Sequence, residues 1–173
     1  MSKSLIAYYS RAGKNYSGGK IVNLQVGNTA VIAEKIHDFT GGTLFEIRTI
    51  KRYPDDYAET TKISRIELEN NERPELSDKL NDFDDYEMIF LGYPNWWGTM
   101  PMAVFTFLES YDFYGKTIVP FCTHEGSGIG RSEKDIRTLC PSSKVLQGIA
   151  IRGSLVSASG EEVRKWLKGH RLI

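Results

Sequence analysis

Cysteine is scarce in this chain: Cys122 and Cys140 are the two present, and they do not form a CxxC pair. A disulfide framework is excluded, a metal site has no sequence support, and a reducing compartment keeps both residues as thiols. Net charge is also missing, because 22 basic and 22 acidic residues cancel. Without a concentrated basic patch, nucleic acid is excluded as a partner. Long apolar runs are absent too. Met88 to Leu91 and Ile118 to Phe121 fall far short of the ~20 residues that span a bilayer, so no membrane association is expected. Met1-Ser2-Lys3-Ser4 leads into Leu5-Ile6-Ala7-Tyr8-Tyr9, too short and too aromatic for a signal-peptide core, so a cytoplasmic chain is expected. No repeat or low-complexity linker divides the sequence, and 173 residues suit one domain spanning 1–173.

What is present is an alternation. Short β-branched and aromatic runs alternate with segments of helical period, the signature of βαβ units and a parallel sheet covered on both faces. Strands are predicted at Leu5–Tyr9, Thr43–Ile50, Met88–Tyr93, Thr117–Cys122 and Val145–Ile151. A first helix starts near Thr29, buries Ile32, Ala33, Ile36 and Phe39, and stops at Gly41-Gly42. A second covers Tyr57–Glu69 after the Pro54-Asp55-Asp56 start signal. A third begins near Pro101 with Val104, Phe105 and Leu108 inward. A fourth is capped by Ser132 and ends before Pro141, and a fifth follows Ser159-Gly160 with Val163, Trp166 and Leu167 on one face. Right-handed crossovers between five strands give an open doubly wound α/β sheet of order 2-1-3-4-5, whose ligand sits outside the carboxyl ends at the switch point. Between Tyr53 and Glu87 lie twelve acidic and four basic residues, a solvated acidic face or a docking surface.

Three loops at that edge have unusual composition. The first opens with Tyr9-Ser10-Arg11-Ala12-Gly13 and closes with Gly27-Asn28-Thr29-Ala30. Its hydroxyls and small residues lead into a helix N-terminus, which suits a phosphate or is a plain helix cap. The second, Pro94-Asn95-Trp96-Trp97-Gly98, holds two tryptophans that prefer burial at roughly 150–250 Å² each. Their cover is the core, a neighbouring subunit or a planar aromatic ligand. The third, Thr123-His124-Glu125-Gly126-Ser127-Gly128, follows a strand and precedes a helix. Its glycines permit close backbone approach to carbonyl and ring-nitrogen acceptors. It is not the dinucleotide fingerprint, which follows a first strand. His124 is a proton donor, a loop cap or simply exposed. Cys122 reads as a core thiol, and His37 and His170 suggest nothing.

Taken together, Tyr9-Ser10 with Gly27-Asn28-Thr29, then Tyr93-Pro94-Asn95-Trp96-Trp97-Gly98, then Thr123-His124-Glu125-Gly126-Ser127-Gly128 resemble the three FMN loops of the flavodoxin family. They are most similar to a bacterial flavodoxin-like subgroup with YPxWWG and THxGSG segments. The resemblance implies a flavodoxin-like fold and non-covalent FMN. It assigns the phosphate to Ser10, Asn28, Thr29 and Ala30, with Arg11 beside them. It places Pro94, Asn95, Trp96, Trp97 and Gly98 against the isoalloxazine, and Thr123, His124, Glu125, Gly126, Ser127 and Gly128 at its pyrimidine end. Arg152 is a weaker candidate at the same edge. The departure from the family pattern is an insertion at about 11–27, read as a lid, a pocket wall or a surface loop.

The implied function is electron transfer in redox metabolism, with a redox partner protein or small electron acceptor, as a monomer or homodimer. The alternative is an FMN-dependent NAD(P)H:quinone oxidoreductase or related flavin reductase. It draws on the insertion as a pocket wall and on a pI near 6.8, which lacks the acidity carriers use for steering. No residue is assigned a catalytic role.

Overall fold

A computed structural model describes residues 3–173. Met1 and Ser2 lie outside the described residues, and Lys3 and Ser4 belong to the first strand. The sheet starts from β1 (Lys3–Tyr8), whose Leu5, Ile6 and Ala7 have no exposed surface. Both faces of this strand are covered, as a continuous apolar run requires in a parallel sheet.

Around β1 the strands β4 (Thr43–Glu46), β5 (Tyr86–Pro94), β6 (Thr117–His124) and β7 (Lys144–Val145) pair in the order β4-β1-β5-β6-β7, all parallel. A further strand, β8 (Ile149–Arg152), pairs with β6 beyond β7. This is the expected doubly wound, flavodoxin-like α/β sheet in the expected order, with its fifth position divided into two pieces. β6 residues 118 and 121 are three apart, but their partners Val145 and Ile149 are four apart. One extra residue is therefore accommodated opposite Pro120, whose ring removes a ladder donor. The second strand is shorter than Thr43–Ile50 for a related reason. Ile47 N–H still bonds Tyr8 O at 2.7 Å, but Thr49 turns away to bridge Leu76 and Ile50 is solvent-exposed.

Alternation along the strands builds two cores. Ile6, Tyr8, Phe90, Val119 and Phe121 face α1 (Asn28–Thr40) and α5 (Gly160–Gly169), which contribute Ile32, Ala33, Ile36, Val163 and Leu167. Leu5, Ala7, Ile89, Leu91, Tyr93 and Cys122 face α3 (Met102–Ser110) and α4 (Ser132–Leu139). Each fully buried Leu, Ile or Phe contributes roughly 1.5–3 kcal/mol of transfer free energy. Helix α2 (Tyr57–Glu69) starts where Asp56 accepts the Glu59 N–H at 2.8 Å, and α1 ends where the left-handed Gly41 donates to His37 O. Ser132 is not the cap of α4. It is the helix's first residue and is buried, donating to Ile129 O and accepting from Tyr93 Oη at 2.8 Å.

The insertion is an ordered antiparallel hairpin, not an irregular loop. Strands β2 (Gly13–Ser17) and β3 (Lys20–Leu24) pair from Gly13↔Leu24 to Ser17↔Lys20. Gly18 and Gly19, both at positive φ, form the two-residue turn. Such a turn matches strand twist, which makes this glycine pair the hairpin tip.

Gly92 sets the spacing at the centre of the sheet. It lies opposite Phe121, and a Cβ placed on it would fall 2.1 Å from the Phe121 ring. Gly92→Ala is expected to lose roughly 1–3 kcal/mol through overpacking. Urea unfolding should show a lower midpoint at unchanged slope. A midpoint equal to the parent's would contradict this contact.

Candidate functional site

Three loops leave the carboxyl edge of the sheet at one level, because the backbone bonds continue past the strands. Tyr9 N–H donates to Gly92 O at 2.9 Å and Asn95 N–H to Thr123 O at 2.8 Å. Between them opens a cleft with about 590 Å³ of free space, lined by Arg11, Asn28, Thr29, Pro94, Asn95, Trp96, Thr123, His124 and Glu125, with Asn15, Tyr16 and Tyr57 opposite. It continues into a second lobe of about 570 Å³, where Thr60, Thr61, Ser64 and Trp97 join the wall. Among the described residues no three His, Cys, Asp or Glu side chains are grouped to hold a metal. Nor is any helix among them long and apolar enough to cross a membrane.

One end of the cleft is the start of α1. Gly27 is the residue before the helix, and neither Asn28 nor Thr29 caps it with a side chain. Ser10 takes that role in part: its Oγ accepts the Ala30 N–H at 3.1 Å, while the Val31 N–H bonds Gly27 O. A Cβ on Gly27 would fall 2.2 Å from Ser10 Oγ, so glycine is what lets the first loop close on the helix. The Asn28 and Thr29 amides have no partner within the helix and lie at the positive end of its dipole, an arrangement suited to an anion. Thr29 is buried, with its hydroxyl 2.8 Å from that of Thr123. Arg11 lines the cleft, but its guanidinium donates to Pro54 O and Asp55 O, each at 2.9 Å, to Thr60 Oγ1 at 3.2 Å and to Lys14 O. It ties the base of the hairpin to the start of α2.

The tryptophan loop is a tight turn. Trp96 and Thr99 form an antiparallel bridge around Trp97 and Gly98, which have φ of 58° and 83°. Trp96 points inward, with its ring edge-on to Tyr9 and Tyr53 at 5.3 Å in both pairs. Trp97 is 41% exposed, donates Nε1–H to Ser64 Oγ at 3.1 Å and lies beneath the Arg65 guanidinium. Adjacent tryptophans thus have separate roles. Asn95 stitches loops together: its Nδ2 donates to Gly128 O at 2.8 Å and its Oδ1 accepts the Gly98 N–H at 2.9 Å.

In the third loop Glu125 is the hub. Oε1 accepts the Ser154 N–H at 2.7 Å and the Ser17 hydroxyl at 3.4 Å, and Oε2 accepts the Gly18 N–H at 3.2 Å. Its carboxylate holds the hairpin tip across the cleft. On the other side Tyr16 meets Tyr57 at 6.4 Å between ring centroids. His124 Nδ1 accepts the Gly126 N–H at 2.9 Å, which fixes the neutral ring's proton on Nε2.

Of the residues singled out in the sequence, Arg11, Asn28, Thr29, Pro94, Asn95, Trp96, Trp97, Thr123, His124 and Glu125 line the two lobes. Ser10 and Ala30 stand behind the helix start, and Gly98, Gly126, Ser127 and Gly128 shape loops without lining the cleft. Sequence reasoning missed Asn15 and Tyr57 on the opposite wall. It also missed Gly153, where a Cβ would fall 2.3 Å from Asn28 Nδ2 and 2.7 Å from Glu125 Oε1. Alternating polarity around Gly18-Gly19 was the available signal for the hairpin. For Tyr57 there was none, because its place depends on how α2 docks.

A family model described as flavodoxin matches residues 3–170. A crystal structure of a Bacteroides eggerthii protein, provisionally described as a flavoprotein, shares 30% identity over 98% of both chains, with a TM-score of 0.79. A Bacteroides uniformis protein with the same provisional description shares 32% over 96% of this chain and 98% of its own, at 0.76. A Lactobacillus acidophilus flavoprotein in complex with FMN is 23% identical, covers 96% and 99% of the two chains, and superposes at 0.66. Among curated proteins there is no sequence match.

Burial first, then the Arg152 guanidinium, hold His124 below its ordinary value of 6.5, against a weaker upward pull from Glu125. Folding thus favours the neutral ring. The associated stability is present above that ordinary value and is lost as pH falls through it toward the lower folded value. NMR titration should find His124 below the usual range, and Arg152→Gln should move it up. An unmoved His124 would remove Arg152 from its surroundings.

Proposed function

We propose that this chain, which belongs to the flavodoxin family, binds FMN non-covalently in the cleft at the carboxyl ends of β1, β5 and β6 and carries electrons in redox metabolism. The observation that carries the reading is the chemistry of that cleft: unpaired helix amides and hydroxyls at one end, and a tryptophan-bearing wall leading away from them. FMN in the related L. acidophilus flavoprotein supports it. Bound FMN supplies one- and two-electron chemistry at its ring.

The residues fit the group. Asn28 and Thr29 offer amides and a hydroxyl to the phosphate, and Ser10 fixes the neighbouring Ala30 amide. With Arg11 spent on carbonyls, the phosphate site works through neutral donors and the α1 dipole. Pro94, Asn95, Trp96 and Trp97 face the isoalloxazine, with Trp96 as the fixed aromatic surface, and Thr123, His124 and Glu125 take its pyrimidine edge, while Gly98, Gly126, Ser127 and Gly128 shape the loops that carry them. Tyr16 and Tyr57 cover the cleft from the hairpin side. A cytoplasmic location accords with two buried free thiols.

A second reading, a flavin-dependent NAD(P)H:quinone reductase, is favoured by one observation. The lobe between Trp97 and α2 is walled by the hairpin base and α2, leaving room for a small acceptor. The visible spectrum of the purified or FMN-reconstituted protein tests the cofactor, and a protein without a flavin band would refute the proposal. Steady-state NAD(P)H oxidation with a quinone then separates the roles. A carrier turns over only when a reductase is added, whereas rapid turnover by the isolated protein gives the enzyme.

Thr29→Ala should weaken FMN by roughly ten- to a hundredfold, the worth of one hydrogen bond to a charged group, and riboflavin much less. Equal losses for the two ligands in fluorescence titration would move the phosphate away from Thr29.

A further inference from the structure

The aromatic wall continues beyond the cleft. Behind Trp96, Tyr53 and Tyr9 contact its ring edge-on and meet each other at 6.4 Å. Tyr53 donates its phenolic hydrogen to Glu67 Oε2 at 2.6 Å. Glu67 is half-buried on α2 and borders a separate open groove, lined in part by Ile50, Lys51, Arg52 and Ile63. A ring at the cofactor cleft is therefore joined, through one aromatic contact and one hydrogen bond, to a carboxylate at a second opening.

This arrangement has a chemical consequence. A phenol that loses an electron becomes strongly acidic, and a charged radical is costly in a low-dielectric interior, so a buried tyrosine is oxidised readily only where a base accepts its proton. Tyr53 has that base in contact. Tyr9 lies as close to Trp96 but has no hydrogen bond to a base among the described residues. Burial and the Glu67 bond both favour the protonated phenol of Tyr53, so it stays neutral until it is oxidised. Burial also raises Glu67 above its ordinary range, which makes it a better acceptor once ionised. The other tryptophans lack such a partner. Trp97 lies beneath a guanidinium, which opposes positive charge on its ring, and Trp166 packs against Phe90 and His170.

We propose that Trp96, Tyr53 and Glu67 form a proton-coupled electron relay that carries an oxidising equivalent out of the cleft. Tyr53 gives one electron to the Trp96 indole radical cation and restores the neutral indole; where that cation has already lost its Nε1 proton to water, the indolyl radical takes a proton back from water with the electron. The phenolic proton passes along the existing hydrogen bond to Glu67, leaving a neutral phenoxyl radical beside a carboxylic acid, which a small soluble reductant discharges from the open groove. The initiating oxidant is a one-electron acceptor in the cleft, and its identity as a light-excited flavin ring rests on the function proposed above. The relay itself lies within this chain.

Pulse radiolysis of the cofactor-free protein with the azide radical tests it, because that radical oxidises indoles and becomes azide anion. The indolyl absorbance should decay, and the phenoxyl absorbance grow, in a first-order phase independent of protein concentration. Tyr53→Phe or Trp96→Phe should abolish the phase, Tyr9→Phe should leave it, and Glu67→Gln should slow it by roughly tenfold or more, about 1.4 kcal/mol on the barrier. Near-ultraviolet circular dichroism checks that each variant is folded. A phase that survives Tyr53→Phe, or is indifferent to Glu67→Gln, overturns the relay. A protein that shows the phase but binds no FMN overturns the proposed function and leaves the relay standing.

Discussion

Backbone bonds between β1 and β5 place the carboxyl ends of two fully covered strands side by side, with Tyr8 paired to Gly92 and Leu5 to Ile89. From β1 the chain crosses outward to β4, and from β5 it crosses the other way to β6. Connections that diverge on either side of one pair leave a crevice between them, and no side chain has to be carved away to make it. The register does the rest. Pro94 pairs with Thr123 and Tyr9 bonds Gly92, so all three loops depart at the same height and face one another. The site follows from the sheet, and Gly92 is where the sheet leaves Phe121 room to pack.

The hairpin is attached to this edge by few polar contacts, and their placement matters more than their strength. Lys14 and Asp55 are exposed at 3.7 Å, a pair worth little in water. Arg11 and Glu125 are different, because each satisfies several partners at once. Arg11 gathers carbonyls from both sides of the hairpin's root, and Glu125 gathers donors from the hairpin tip and from Ser154. Root and tip are thus held by opposite charges, with the cleft between them. A cation spent on carbonyls cannot also neutralise a phosphate. In the proposed site the anion end of the cleft therefore depends on Thr29, the α1 amides and the helix dipole.

Much of this was legible in the sequence, because the signals were local. Period-two and period-3.6 apolar patterns, Asp56 before α2 and Gly41 after α1 are decided by residues a few positions apart. What was not legible depended on neighbours in space. Pro120 divides the fifth strand of the sheet, yet it acts on residues 25 positions later. Ser132 reads as a cap but serves Tyr93, and Asn95 reads as a ligand group but holds two loops together. The hairpin was the exception, a local pattern obscured because polar residues alternate in it with few apolar ones.

The two tryptophans show how one local conformation divides labour. With Trp97 and Gly98 both at positive φ, the turn reverses the chain within two residues and sends neighbouring side chains in opposite directions. A left-handed tryptophan costs roughly 1–3 kcal/mol. Its hydrogen bond to Ser64 and its contact with Arg65 offset part of that and fasten the turn to α2. Trp96 is in consequence pressed onto Tyr9 and Tyr53, its rotamer fixed by core packing and not by any ligand. A ring held in this way presents a ready surface to a planar molecule, which loses little side-chain entropy on contact. The same packing leaves it in edge contact with a phenol whose proton already has an acceptor. The rigidity that fits Trp96 to the proposed cofactor also connects it to Glu67, so the two proposals rest on one structural cause.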